Sequence, residues 1–263
     1  MKLLTLNCHS WQEENQMHKI KYLAEVINNK DYDVVALQEV SQLIESEVIE
    51  YPIKKDNFAI LLKQELDNYN KDKYSFYWDF SHIGFDKYEE GLAIFTKHKV
   101  IDNESFLITN SSDKNYWKTR KIVKSKISYK DKILNFYSCH LGWWNDLEEP
   151  FDYQVDNLLK KSEPNEYSFF MGDFNNNAFV RNEGYDYLIS KGLKDLFVLA
   201  NERDSGITVK GKIDGWDENK EKLRLDLVLS NNNIEVKTSK VIFNGKNKDI
   251  ISDHFGVETI INI

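Results

Sequence analysis

The hydrophobic pattern changes period several times along the chain, and each change marks an element. Lys2 to Leu6 is a short apolar run with β character that stops at Asn7. Across 15–29, Ile20, Leu23, Ala24 and Ile27 recur at the spacing of one buried helical face. Residues 33–37 are again apolar and β-branched, and they run into Gln38-Glu39-Val40. A strand, a helix and a strand with short connections predict a right-handed βαβ unit. A second helix is predicted over 57–69, with Phe58, Leu61, Leu62, Leu66 and Tyr69 on one face. Two aromatic strands follow at 74–78 and 91–95, with 81–90 expected as a polar loop. Residues 119–128 and 132–139 read as an antiparallel pair turning at Tyr129-Lys130-Asp131. A third helix covers 149–160, with Pro150 near its start, and a short fourth covers 182–192, closed by Gly192. Strands at 223–229 and 241–243, the stretch 252–257 and a terminal strand to Ile263 complete the pattern.

The most abrupt change is at Phe169-Phe170-Met171-Gly172-Asp173-Phe174-Asn175, where a buried strand gives way to Gly, Asp and Asn. Asp173 and Asn175 point the same way if the chain stays extended; an Asx turn closing the strand is the structural alternative. Other apolar strands end in, or pass through, residues of the same kind: Asn7, Glu39, His140 and Asp226. The pair Asp253-His254 precedes the last strand. Strand ends in a sheet-based fold converge on one rim. Carboxylates gathered there repel one another and shift each other's pKa, and a divalent cation removes that penalty. An all-oxygen set of Glu, Asn and Asp suits Mg²⁺ or Mn²⁺, not zinc. Histidines and an asparagine then supply donors to an anion. This is the equipment for metal-assisted attack of water on phosphorus.

Composition narrows the class. The 263 residues, without repeats or Pro/Gly-rich linkers, predict one domain spanning 1–263 with a substantial core. A net charge of −8 disfavours a nucleic-acid partner, although 118–132 carries a local excess of Lys and Arg. The two cysteines, Cys8 and Cys139, are too few for a disulfide framework and are expected to face the core. Met1 to Leu6 leads into Asn7 without an extended apolar segment, and no run reaches membrane-spanning length, so a cytoplasmic chain with no membrane partner is expected. His18 and His98 are expected to face solvent, and His9, close to Asn7, is a candidate for the site wall.

The segments TLNCHSWQEEN, LQEV, EEGLAIFTK, YSCHLGWW, MGDFN, RLDLVLS and SDHFGV stand in an order that resembles the endonuclease/exonuclease/phosphatase (DNase I-like) superfamily, from Leu3 to Val257. The resemblance implies an α/β fold, a four-layer sandwich of two mixed sheets packed face to face and flanked by helices. It implies Glu39 as principal metal ligand, Asn7 beside it, and Asp253 completing the shell. Asp173 resembles the residue that orients or deprotonates the attacking water, and His254 the residue that contacts the phosphate or acts as base. Asp226 resembles the carboxylate that holds His254 in the right tautomer; Asn175 and His140 resemble phosphate-oxygen donors. Abasic-site nucleases tend to carry Tyr where this chain has His140, which favours the sphingomyelinase and phosphatase side. Within the superfamily TLNCHSWQEENQ and HLGWW look most like a bacterial subgroup that includes a maltose 6'-phosphate phosphatase.

The expectation is therefore a Mg²⁺-dependent phosphatase acting on a phosphorylated sugar. Trp143 and Trp144, directly after His140-Leu141-Gly142, are expected to stack on the sugar, with Trp11, Trp117 and Trp216 as possible company. Arg120 and Lys118 are candidates for phosphate contacts. The competing readings are a nuclease or phosphodiesterase of the same fold, acting on DNA or a phospholipid head-group, and a non-catalytic regulatory protein.

Overall fold

The computed structural model describes residues 1–216 and 218–263. The first third of the chain holds β1 (Lys2–Asn7), α1 (Gln16–Lys30), β2 (Val34–Leu43), β3 (Val48–Glu50), β4 (Ile53–Lys54), α2 (Phe58–Tyr69), β5 (Ser75–Gly84) and β6 (Tyr88–Thr96). Then come β7 (Lys99–Leu107), β8 (Lys121–Tyr129), β9 (Lys132–His140), α3 (Phe151–Lys160), β10 (Tyr167–Asp173) and α4 (Gly184–Ser190). The last part holds β11 (Lys194–Asp195), α5 (Leu196–Leu199), β12 (Ala200–Arg203), β13 (Val209–Lys210), β14 (Lys222–Leu223), β15 (Asp226–Ser230), β16 (Glu235–Ile242) and β17 (Gly256–Asn262).

Two large mixed sheets result. One has the order β12-β16-β17-β1-β2-β6-β5 and the other β11-β15-β10-β9-β8-β7. β1 and β2 pair in parallel across α1, as the βαβ pattern predicts. Neighbouring residues of one strand serve different layers. Leu3, Val34, Phe136, Phe169 and Val228 fill the space between the sheets. Leu4 and Val35 face outward onto α1 and α2, where Ile20, Leu23, Phe58 and Leu62 meet them. Tyr137, Phe170 and Leu227 face outward on the other side, onto Phe151, Val155 and Leu158 of α3 and Leu188 of α4. The four-layer sandwich is therefore what the sequence expects. The central strands read as unbroken apolar runs because both their faces are buried. The paired strands β9 and β10 stack Phe136 on Phe169 at 4.9 Å toward the other sheet and Tyr137 on Phe170 at 4.8 Å toward the helices. Each such ring contributes roughly 1.5–3 kcal/mol by burial.

Helix boundaries fall within two residues of the predicted ones. Asn57 caps α2 by accepting from the N–H groups of Ala59 and Ile60. Several strands differ from expectation. Residues 81–90 are the close of a β-hairpin, since β5 runs to Gly84 and β6 starts at Tyr88. β7 was not anticipated: it is a polar edge strand with little apolar alternation. The stretch 223–229 is broken at Arg224-Leu225, leaving Leu223 in the small β13–β14 pair and Asp226 at the start of β15. No helix among the described residues is long and apolar enough to cross a membrane.

Candidate active site

Strand register assembles the centre. His140 of β9 lies beside Asp173 of β10, and Asp173 lies opposite Asp226 of β15. Gly172 makes this row possible. Its φ is +149°, and a Cβ there would sit 1.9 Å from the Cys139 carbonyl oxygen, so a side chain has no room. On the other sheet, Asn7 ends β1 beside Gln38 of β2. Glu39 does not end its strand. Leu37 pairs with Ala93 and Val40 with Gly91, so Gln38 and Glu39 together oppose one residue of β6. This bulge, with Glu39 at φ 51°, turns the carboxylate out of the ladder and toward the rim.

The side chains meet across the two sheets. Asn7 Nδ2 donates to Glu39 Oε1 at 2.8 Å and to Asp173 Oδ2 at 3.2 Å, while Asn7 Oδ1 accepts from the His9 N–H at 3.1 Å. Asn7 bridges the two carboxylates with its nitrogen, and its oxygen is turned to the backbone. His254 Nδ1 bonds Asp226 Oδ2 at 2.9 Å, leaving Nε2 3.7 Å from Asp173 Oδ2. His140 Nε2 lies 3.8 Å from Asp173 and 3.9 Å from Glu39. The Asn175 N–H donates to Asp173 Oδ1 at 2.8 Å, and Asn175 has φ 49°. The chain is thus not extended past Asp173. It makes the Asx turn, and Asn175 still lines the same cavity as Asp173. Asp253 stands with His9 and Glu13, its Oδ1 3.7 Å from His9 Nδ1. Ser252 Oγ donates to the Asn7 carbonyl at 2.7 Å and ties this loop to the end of β1.

Charge crowding is visible in the protonation of these groups. Burial, then Glu90 and Asp253, push Glu39 up to about 8. Burial also raises Asp226. For His254, burial opposes the charge, but Asp226 and Asp173 outweigh it and hold the imidazole well above its ordinary value. His140 is driven the other way, well below its usual value, by burial and by the positive neighbours Arg120, His82 and His254. Two histidines at one centre are therefore set apart, one cationic and one neutral. His9, paired with Glu13, is pushed up to about 9: burial lowers it, but that bond and the charges of Asp253 and Glu39 prevail.

These residues open onto a cavity of about 410 Å³. Beyond Glu39, His140, Asp173, Asn175 and His254, its wall includes Trp117, Trp143, Arg120, His82, Glu90 and Asp214. Trp117 and Trp143 meet edge to face at 5.8 Å. Arg120 is 4% exposed, and its Nε has no hydrogen-bond partner among the described residues. Two expected contacts lie elsewhere. Trp144 packs on Phe151 and Tyr187 over α3 and α4, away from the cavity that Trp143 lines. Lys118 Nζ is held by Asp146 at 2.7 Å and Glu148 at 2.5 Å, so its charge is already matched and it borders an outer cavity.

His98, expected in solvent, bonds Asp33 at 2.7 Å and stands edge-on to Tyr129. Cys8 and Cys139 are buried free thiols. His82 and Glu90 escaped sequence reasoning. They lie in the stretch read as a loop, yet His82 Nε2 comes within 3.5 Å of Glu90, which in turn faces His140 Nδ1 at 4.0 Å. The one available signal was Glu90 itself, an acid placed directly before an apolar strand.

A model of the Endonuclease/Exonuclease/phosphatase family matches residues 4–254. The chain belongs to this family. Members of the endonuclease/exonuclease/phosphatase family are hydrolases acting on phosphoester bonds and typically depend on a divalent metal. A solved family protein from Leptotrichia buccalis C-1013-b is 42% identical, with a TM-score of 0.94 and 100% of both chains covered. A mannosyl-6-phosphatase from Bacteroides thetaiotaomicron VPI-5482 shares the fold at 16% identity and a TM-score of 0.71, again over 100% of each chain. So does a truncated Caenorhabditis elegans TDP2, at 16% identity and a TM-score of 0.67, covering 100% of this chain and 97% of that one. No curated protein matches the chain. The donor set around Glu39 fits the family's need for a metal. Glu39 and Asp253 offer oxygens, as a hard divalent cation prefers, and burial together with Glu90 and Asp253 opposes the Glu39 charge; Asn7 could add an oxygen only with its amide turned over, since Oδ1 accepts from the His9 N–H.

Proposed function

We propose that this single-domain chain is a Mg²⁺-dependent phosphatase, with Mn²⁺ as a substitute, that removes phosphate from a phosphorylated sugar such as maltose 6'-phosphate. The observation that carries the reading is the make-up of the cavity wall. Arg120, a buried guanidinium without an ion-pair partner among the described residues, lies over the Trp143 ring at 5.9 Å, and the Trp117–Trp143 pair lines the same cavity as His140 and His254. A buried Arg left unpaired is costly, so an anion is its natural complement. Aromatic faces beside an anion site suit the apolar face of a sugar ring. Among the described residues Arg120 is the one Lys or Arg on this wall, against Glu39, Glu90, Asp173 and Asp214. That balance suits one phosphate and disfavours a polyphosphate backbone, as does the net charge of −8.

Glu39 would hold the ion, with Asp253 completing the shell from the His9–Glu13 side and Asn7 joining through Oδ1 once its amide turned over. A bound divalent cation would supply charge neutralisation for the phosphate group. Asp173 is 1% exposed with Oδ2 free of the backbone, and it orients or deprotonates that water. His254, kept cationic by Asp226, donates from Nε2 to a phosphate oxygen, and neutral His140 donates from Nε2 on the other side. The work is cytoplasmic, on a small molecule, without a membrane or nucleic-acid partner. The test compares phosphate release from maltose 6'-phosphate with nicking of plasmid DNA, both with Mg²⁺. Release without nicking is expected; strong nicking without release overturns the reading.

A further inference from the structure

The Asn175 amide is held by two groups of opposite character. Its Nδ2 donates to the Leu141 carbonyl at 2.9 Å, and its Oδ1 accepts from Trp216 Nε1 at 3.1 Å. A carbonyl only accepts and an indole N–H only donates, so the amide has one way round. One N–H goes to Leu141. The second has no partner among the described residues, and Asn175 lines the cavity.

Trp216 comes from far along the chain, in the connection between β13 and β14. That connection touches the site at successive residues. Asp214 Oδ2 lies 3.7 Å from His9 Nε2. Gly215, at φ +78°, lies so close to Trp143 that a Cβ would come within 2.5 Å of the ring. Trp216 packs its ring on Val209, Ile213, Leu223 and Leu225. The base of the loop is fixed to the Asx turn as well, through Phe174 N–H to the Leu225 carbonyl at 3.0 Å and Ala178 N–H to the Arg224 carbonyl at 3.0 Å. A phenylalanine would fill the same apolar seat. Only tryptophan also reaches Asn175.

We propose that Trp216 is a positioning residue: its indole N–H, with the Leu141 carbonyl, sets the Asn175 amide so that one N–H is aimed at a non-bridging oxygen of the substrate. This rests on the phosphate-ester hydrolase reading. Removing the indole N–H leaves Oδ1 free to seek water, and the amide loses its fixed aim.

The test is Trp216→Phe alone and on an Asn175→Ala background, assayed with Mg²⁺ on p-nitrophenyl phosphate and bis(p-nitrophenyl) phosphate. Trp216→Phe alone is expected to lower kcat about three- to tenfold, the worth of one hydrogen bond, with KM within about twofold. On the Asn175→Ala background it should have no further effect. The same loss on both backgrounds, or no loss on either, overturns the proposal. The side-chain amide signals of ¹⁵N-labelled Asn175 give a readout independent of turnover. They should move and exchange faster in Trp216→Phe; unchanged signals overturn the proposal. A wild-type protein inactive on both esters with the amide signals shifted would sink the hydrolase reading and the aim at phosphate with it, while the Trp216–Asn175 bond itself would stand.

Discussion

Asp226 is 1% exposed, and the charged group it bonds is His254, through Nδ1 at 2.9 Å. In the proposed mechanism, a carboxylate there fixes which imidazole nitrogen faces the substrate and keeps the ring protonated. It does not line the cavity, so its effect on catalysis passes through His254. Asp226→Asn should lower kcat about 10–100-fold with metal affinity unchanged. The His254 titration, followed by NMR of the ring Cε1 proton, should move toward lower pH. His254 donates when protonated, so the alkaline limb of the rate profile should move to lower pH with it. A normal rate in Asp226→Asn would remove the orienting role. Both residues stand out in the sequence as polar interruptions of apolar runs. The Asn175 bond to Trp216 does not, because a contact between residues 41 apart leaves no periodic trace.

At the scale of elements, the two sheets are tied by more than apolar packing. Ser138 of β9 donates to the Leu37 carbonyl of β2 at 2.9 Å and accepts from Gln38 Nε2 at 2.9 Å, and Gln38 Oε1 accepts from Thr5 Oγ1 of β1 at 3.2 Å. This polar strut crosses the intersheet layer directly under the bulge that presents Glu39. Ser138→Ala takes the hydroxyl from the Leu37 carbonyl and leaves the buried Gln38 Nε2 without its partner. It should cost about 1–3 kcal/mol of stability, read from urea unfolding, and weaken divalent-metal binding by loosening the bulge. An unchanged midpoint would show that the strut contributes nothing. The strands that the sequence missed have physical reasons in common. β7 is a charged edge strand whose pattern reports solvent on one side, and the bulge at Gln38-Glu39 shifts the alternation by one residue. Central strands were legible because burial on both faces leaves nothing but apolar residues.

Across the whole molecule, the site gathers groups from Asn7 to His254, and the fold brings them together by sending strand ends of both sheets to one rim. The cost of that convergence falls on Glu39. Its pKa rises from 4.5 to about 8, through burial first and then Glu90 and Asp253. The folded chain therefore holds a proton that the unfolded chain has lost between those two values, and metal-free stability must fall as pH rises through that window. Glu39→Gln removes the titrating group. At pH 8 it should raise the metal-free Tm by roughly 3–8 °C, taking about 1–2 kcal/mol for a partly screened carboxylate. At pH 5 the two proteins should melt at nearly the same temperature. Added Mg²⁺ should stabilise the wild type at pH 8, less so at pH 5 where Glu39 is protonated, and Glu39→Gln at neither. Equal Mg²⁺ stabilisation of both proteins at pH 8 would place the metal elsewhere, and a metal-free Tm that rises with pH would refute the crowding of carboxylates at this rim.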